Sequence, residues 1–438
     1  MKKVVIYSHD TYGLGNIRRM LAIAKYLVDN DPEMSILVLS GSPMLHAFRI
    51  PPRIDYVKLP CLRRTANGGY AVKHLGLELN PTLQLRSSII VSALTHFQPD
   101  LIMVDKKPLG VCDELAPALN FVQRSGMKTK LVLLLRDIID RSDVTSRIWG
   151  KNGYYGLIEK FYDRVLVVGS QDVFDLGKEY RCPPSCLEKI RYCGYLSRDQ
   201  GARGKQAIKK ELGIGREKFV LVTPGGGEDG FNLIVNYLQG LGRMTRDPGF
   251  KTLVIHGPEM SPDNQRVLHT LAGRRPHVIL KEYTDDMMSY MNAADLVVSM
   301  GGYNTVCEIL TLKKRAIVVP RTNPVEEQWI RARRMARHGL FQFIHPDHAS
   351  PAALMDAVLD NLAAAPGGNG AARELDMQGM AAIAQHVSSL MNGGDENMGT
   401  LIRSCFSAIK SQVFNSQARL PEKNIFIGEK SLSPMPSF

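Results

Sequence analysis

Along the first 200 residues, short apolar runs alternate with amphipathic stretches: VVIY, then 17–29; SILVLS; a basic segment over 61–80; an amphipathic run over 82–97; LIMVD; 110–125; LVLLL; 152–161; RVLVVG. Runs that are apolar at every position suit strands buried on both faces, and their alternation with helices predicts a parallel sheet covered on both sides. After the polar stretch SRDQGARGKQ (197–206) a second series begins. It reads FVLVT, a helix over 231–241, TLVIH, a helix opened by Ser261 and Pro262, HVILKEY, a short helix from Asp285, DLVVS, a helix from Thr305, AIVVP, a helix over 325–338 and FQFI. The pattern therefore predicts an α/β chain of two tandem Rossmann-like, doubly wound domains, over 1–198 and 199–371. A terminal helix over 372–392 follows the glycine-rich break PGGNGA, and 393–438 reads as a loosely ordered basic tail. In such sheets the ligand crevice lies at the carboxyl ends of the strands, so a cleft between the two domains is the expected site.

Composition narrows the partners. The chain has 438 residues, 44% of them apolar, and a formal net charge of +12, which favours anionic ligands. Nucleic acid is not expected, because the basic residues are not interleaved with stacking aromatics, which make up 7% of the chain. The start MKKVVIYSHD lacks the apolar stretch of an export signal, and no apolar run is long enough to span a bilayer. A cytoplasmic protein is expected, with membrane contact at most peripheral. Seven scattered cysteines fit reduced thiols; the CPPSC cluster with Cys193 has no fourth ligand at zinc spacing, and no metal is expected.

The candidate chemistry sits in strand-to-helix turns. Gly13 and Gly15 precede a helix that carries Arg18 and Arg19, but an arginine replaces the third glycine of a dinucleotide fingerprint, and SILVLSGS ends without an acid for a ribose. The second domain offers a better nucleotide site. There Gly301, Gly302, Tyr303 and Asn304 lead onto a helix N-terminus whose free N–H groups suit a diphosphate, and Glu308 lies one turn further on, where it could accept from ribose hydroxyls. Thr305-Val-Cys-Glu308 also spells a capping box, which would occupy Glu308 with its own helix. Gly225 and Gly226, in TPGGGEDG, and Glu327 with Gln328, in RTNPVEEQW, fall at the same sheet edge.

Those motifs resemble GT-B glycosyltransferases. Tyr283-Thr284-Asp285-Asp286-Met287, Ala294-Asp295, Gly301-Gly302, Thr305, Glu308, and Pro320 through Glu327-Gln328 follow, in order and spacing, the branch containing the lipid-linked N-acetylglucosaminyltransferase of peptidoglycan synthesis. The resemblance covers roughly 220–345, and the start Ser-His-Asp-x-x-Gly-Leu-Gly is similar to a bacterial group of glycosyltransferases known from sequence. It implies a nucleoside diphosphate sugar as donor substrate, no other cofactor, and a donor site with backbone near Thr284 on the base. The amides of Gly302 to Thr305 would hold the diphosphate, Glu308 the ribose, and Glu327 with Gln328 the sugar. Glu327 stands where that branch has glutamine, so the donor sugar need not be N-acetylglucosamine. Asn16 stands where the relatives carry histidine, and an amide cannot serve as a base near pH 7.

Candidate proton acceptors are therefore His9, Asp10, Asp105 and Asp137, each of which could instead brace a turn or pair with Arg18, Arg19, Lys106 or Arg136. The expected reaction is metal-free displacement at the anomeric carbon by a hydroxyl of a lipid-linked, polymeric or small acceptor. The acceptor would lie against the basic segment 61–86, with Arg63, Arg64, Lys73 and Arg86. A nucleotide-sugar hydrolase or epimerase on the same scaffold, or a binding protein without turnover, are the rival readings.

Overall fold

The structure, a computed structural model, describes residues 1–9, 15–65, 68–273, 275–364 and 374–393, and Met1–Val387 form one compact unit. Nine strands belong to its first half: β1 (Lys2–Ser8), β2 (Met34–Ser40), β3 (Ile54–Lys58), β4 (Leu62–Arg64), β5 (Tyr70–Val72), β6 (Leu101–Asp105), β7 (Lys130–Arg136), β8 (Arg164–Val168) and β9 (Ile190–Tyr192). Seven of them form a sheet in the order β3-β2-β1-β6-β7-β8-β9. Every pairing in this sheet is parallel. All five residues of β6 are buried, as a strand between two helical layers requires.

The second half repeats the plan with β10 (Lys218–Thr223), β11 (Phe250–Ile255), β12 (Val278–Lys281), β13 (Leu296–Ser299), β14 (Ala316–Val318) and β15 (Gln342–Phe343), in the order β12-β11-β10-β13-β14-β15. Local rules set its helices. Ser261 accepts from the Asn264 N–H and Pro262 occupies the first turn, so that helix starts where the sequence predicts. In both sheets the winding reverses next to the first strand, between β1 and β6 and between β10 and β13, and each reversal opens a crevice at the carboxyl ends of the strands.

Three expectations change. The basic segment is a hairpin, β4 against β5, followed by a helix over Leu79–Phe97, rather than one long insertion. Within it Arg86 is buried beneath the surface: it donates to both oxygens of Glu114, which also accepts from the Tyr7 hydroxyl, so it cannot face an acceptor. The terminal helix starts at Gly379, and the described residues just before it, 374–378, are drawn onto the first lobe instead of continuing the helix. There the Tyr195 N–H donates to the Asp376 carbonyl at 2.7 Å, and Gln378 bridges to Leu196. The predicted tail beyond Gly393 lies outside the described residues.

Candidate active site

The two crevices face each other across a cleft with a cavity of about 200 Å³, lined from the first lobe by Gly15, Asn16, Arg18, Arg19 and Arg136. From the second lobe come the turn around Gly225 and Gly226, then Thr284, Gly302 to Thr305, Glu308, Glu327 and Gln328. The structure thus brings together nearly all of the expected donor residues. Gly301 sits just behind them, where a Cβ would press on the Gln328 carbonyl at 3.1 Å. Gly13 and Asp10 lie outside the described residues.

The centre of the site is the helix Tyr303–Thr311. Gly302 is its N-cap and supplies no side chain, so no side-chain hydrogen bond caps the first turn, and a Cβ on Gly302 would meet nothing within 4 Å. Uncapped N–H groups beside open space leave donors free to meet an anion. The capping box is not made, because the helix begins two residues before Thr305. The reason is Tyr303, whose ring must enter the core: it stacks on Tyr195 at 6.2 Å, and the guanidinium of Arg331 lies 5.6 Å from its centroid. Only its backbone N–H is left for a ligand. Glu308, 3% exposed at the side chain, is paired instead with Arg18 of the first lobe at 3.2 Å. Beside it the Asn304 amide donates to the Gly15 carbonyl at 2.9 Å and accepts from Arg198 at 3.3 Å.

Glu327 is buried among arginines. Arg136, from the end of β7, lies 2.8 Å from one carboxylate oxygen and Arg321 donates to the other at 3.0 Å, with Arg331 at 3.8 Å. Burial alone raises its pKa, but Arg136, Arg331, Arg321 and Lys106 outweigh that and hold the carboxyl at about 2. Gln328 accepts from the Arg321 backbone N–H at 3.3 Å. Thr284 braces the turn that enters the next helix, its hydroxyl accepting from the Asp286 N–H at 3.1 Å, and Asp286 caps that helix at Ser289. At Gly227, φ is +106° and a Cβ would strike the His256 carbonyl at 2.3 Å, so only glycine lets the turn after β10 pack against the turn after β11.

The candidate bases fare differently. Asp105 is buried, paired with Arg19 at 2.6 Å and accepting from the His9 N–H at 3.4 Å. Asp137 is gripped at both oxygens by Arg331, at 2.7 and 2.8 Å. Both carboxylates are thus paired with arginines. The His9 imidazole is 1% exposed, and burial, with Lys106, Lys107, Arg64 and Arg86 nearby, pushes its pKa well below the usual histidine value. It is therefore held neutral, and it is not among the residues that line the cavity. Asn16 is a brace, donating to the His9 carbonyl and accepting from Arg19 at 3.3 Å.

Sequence reasoning missed Arg198 and Arg321 altogether, and named Arg136 and Lys106 only as partners for Asp105 and Asp137. Lys106 holds a left-handed backbone, φ 74°, at the end of β6, and burial with the repulsion of Arg136 lowers its pKa to about 7. Among the described residues no three acidic, histidine or cysteine side chains meet in a group that could hold a metal ion, and no helix is long and apolar enough to cross a membrane.

Comparison with known proteins bears on the fold. A UDP-N-acetylglucosamine–N-acetylmuramyl-(pentapeptide) pyrophosphoryl-undecaprenol N-acetylglucosamine transferase of Acetivibrio thermocellus is 24% identical over 364 residues, 81% of this chain and 88% of the relative. Among solved structures, MurG of Acinetobacter baumannii superposes with a TM-score of 0.53 at 14% identity, covering 90% of this chain and 100% of that one. A UDP-N-acetylglucosamine 2-epimerase, so assigned, from Listeria monocytogenes reaches 0.61, also at 14% identity, over 90% of this chain and 98% of that one. Residues 219–387 match the glycosyltransferase family 28 C-terminal domain. The chain accordingly has the two-domain fold of these GT-B structures, with its second lobe similar to the glycosyltransferase family 28 C-terminal domain.

Proposed function

We propose that this glycosyltransferase takes its sugar from a nucleoside diphosphate donor seated on the second lobe and passes it, without a metal, to a hydroxyl of an acceptor held on the first. The observation that carries the reading is the uncapped helix at Gly302, with Glu308 on one side and Glu327 with Gln328 on the other, all lining one cleft. In this reading the amides of Tyr303, Asn304 and Thr305 hold the diphosphate and stabilise the charge that develops as it leaves. Glu308 accepts from the ribose, backbone near Thr284 meets the base, and Glu327, kept ionised by its arginines, accepts from sugar hydroxyls. The relative's name carries a uridine diphosphate donor and a pyrophosphoryl-undecaprenol acceptor. That supports uridine as the nucleoside and a lipid-linked acceptor as the partner. The family 28 domain favours transfer over epimerisation, since the epimerase likeness is one of fold.

With Asp105 and Asp137 committed elsewhere, the proton of the acceptor hydroxyl falls to Asp10 or to Lys106, whose lowered pKa lets it exchange a proton near neutrality. The acceptor would approach along the β4–β5 hairpin, where Arg63, Arg64, Lys73 and His74 are exposed next to Leu75 and Leu77, at 46% and 51% exposure. Exposed leucines beside cations suit the surface of an anionic bilayer on its cytoplasmic side. A thermal-shift panel of nucleoside diphosphates and their sugars tests the donor site: a ligand at a hundredfold its Kd stabilises by about 2.7 kcal/mol. Glu308→Ala should abolish the shift, and a shift that survives it refutes the ribose assignment.

A further inference from the structure

Glu308 cannot be left alone. Its carboxylate is 3% exposed, and a buried charge without a partner is costly. The partner it has in this structure belongs to the opposite lobe, Arg18, whose side chain is 43% exposed and touches it through one nitrogen at 3.2 Å. An ion pair so open to water is weak and exchangeable. Its neighbourhood favours exchange. Arg198 lies close enough to act electrostatically on both Glu308 and Arg18, so a second guanidinium already shares this region. The N-terminal amides of Tyr303 to Thr305 are on the same helix, Thr305 being three residues from Glu308, about 4.5 Å along the axis. The helix that carries Arg18, Gly15–Asn30, also rests on the Tyr303 helix through the Gly15 carbonyl and Asn304, and the cavity left between them, about 200 Å³, is smaller than ligand pockets commonly are.

We propose that Arg18 stands in for the donor on Glu308: its guanidinium holds the carboxylate until ribose hydroxyls replace it, and it then passes to the incoming diphosphate at the helix N-terminus. This rests on the donor-site reading above and adds a selection rule to it. A nucleoside alone must displace Arg18 and offers it nothing in return. A nucleoside diphosphate displaces the same contact and supplies the arginine with a new anionic partner, so the site rejects nucleosides in favour of their diphosphates beyond what the helix amides achieve.

The test is a set of calorimetric titrations of the full chain with uridine and with uridine diphosphate. Arg18→Ala should bind uridine about threefold to fivefold more tightly, the worth of an exposed ion pair. The same variant should bind uridine diphosphate about tenfold more weakly, through loss of a charge-assisted contact. Arg18→Gln, of similar length and uncharged, should behave the same way. Opposite changes for the two ligands are not what a general disturbance of the cleft produces. Uridine affinity that is unchanged or reduced in both variants overturns the proposal, as does an unchanged affinity for the diphosphate. Glu308→Ala separates the two levels of argument. If it abolishes binding while the Arg18 variants fail to tighten uridine, the donor site stands and the stand-in role falls; if it leaves binding intact, the ribose assignment falls and the stand-in role falls with it.

Discussion

Of the arginine–carboxylate pairs that join the lobes, Asp137–Arg331 and Glu308–Arg18 differ in almost everything except their chemistry. Asp137 and Arg331 meet through two hydrogen bonds at side-chain exposures of 1% and 0%, and Arg331 donates further to the Gly301 carbonyl at 3.0 Å. Glu308 and Arg18 meet through one contact at the mouth of the cleft. Charges taken out of water need every hydrogen bond satisfied and cannot change partners cheaply, whereas an exposed guanidinium loses little when it leaves. The first pair therefore fixes the lobes and the Gly301 turn, and the second is free to take part in binding. Asp105 with Arg19 belongs with the first kind, so both carboxylates at strand ends in the first-lobe crevice are held by buried arginines.

The largest effect should come from breaking the buried pair. Arg331→Ala strands Asp137 in the core and should cost about 3–5 kcal/mol of stability, read as a lowered midpoint in chemical denaturation. Replacing both partners by apolar residues of similar size, Asp137→Leu with Arg331→Met, should recover most of it. A single variant that melts with the wild type would place this pair in the exchangeable class and erase the distinction.

Glu327 lies between the two classes, buried but lining the cleft. Its carboxyl is held at about 2 against an ordinary 4.5, so it binds fewer protons folded than unfolded. That stability is fully present above pH 4.5 and is lost as pH falls through about 2, amounting to about 3 kcal/mol. Glu327→Gln should melt lower at neutral pH and show a shallower loss below pH 4.5. Parallel curves for variant and wild type down to pH 2 would mean that the arginines around Glu327 contribute nothing through its charge.

The difference between these pairs is also the limit of what could be read from the chain. Strands such as LIMVD and LVLLL announce themselves because burial on both faces leaves no polar position, and Gly302, Glu308, Glu327 and Gln328 lie at predictable offsets from strand ends. Partner choice has no such local signature. Asp137 and Arg331 are 194 residues apart, and an arginine in a polar linker, as Arg198 is, looks solvated until the fold returns it to the site. The frame of the Tyr303 helix was ambiguous for a similar reason, since GGYNTVCE accommodates an N-cap at Gly302 or at Thr305. Burial of the Tyr303 ring among Tyr195 and Arg331 selects the first, and neither partner is near it in sequence.

The smallest effect is the one that most sharpens the comparison. Arg18→Ala removes a cation that is 43% exposed and bound at one point, and it leaves Arg198 within electrostatic reach of Glu308, so the folded state should lose less than about 1 kcal/mol, and raising the salt concentration should shrink even that. Asp137 and Arg331, shielded from ions by the protein, should respond to salt hardly at all. Denaturation of Arg18→Ala and Arg331→Ala at low and high salt sets these contrasting interlobe pairs side by side. If Arg18→Ala proved as destabilising as Arg331→Ala, the contact at Glu308 would be part of the clasp between the lobes, too costly to open for a nucleotide. If the loss is small and screened by salt, the energy needed to free Glu308 is within what two ribose hydroxyls and a diphosphate can return.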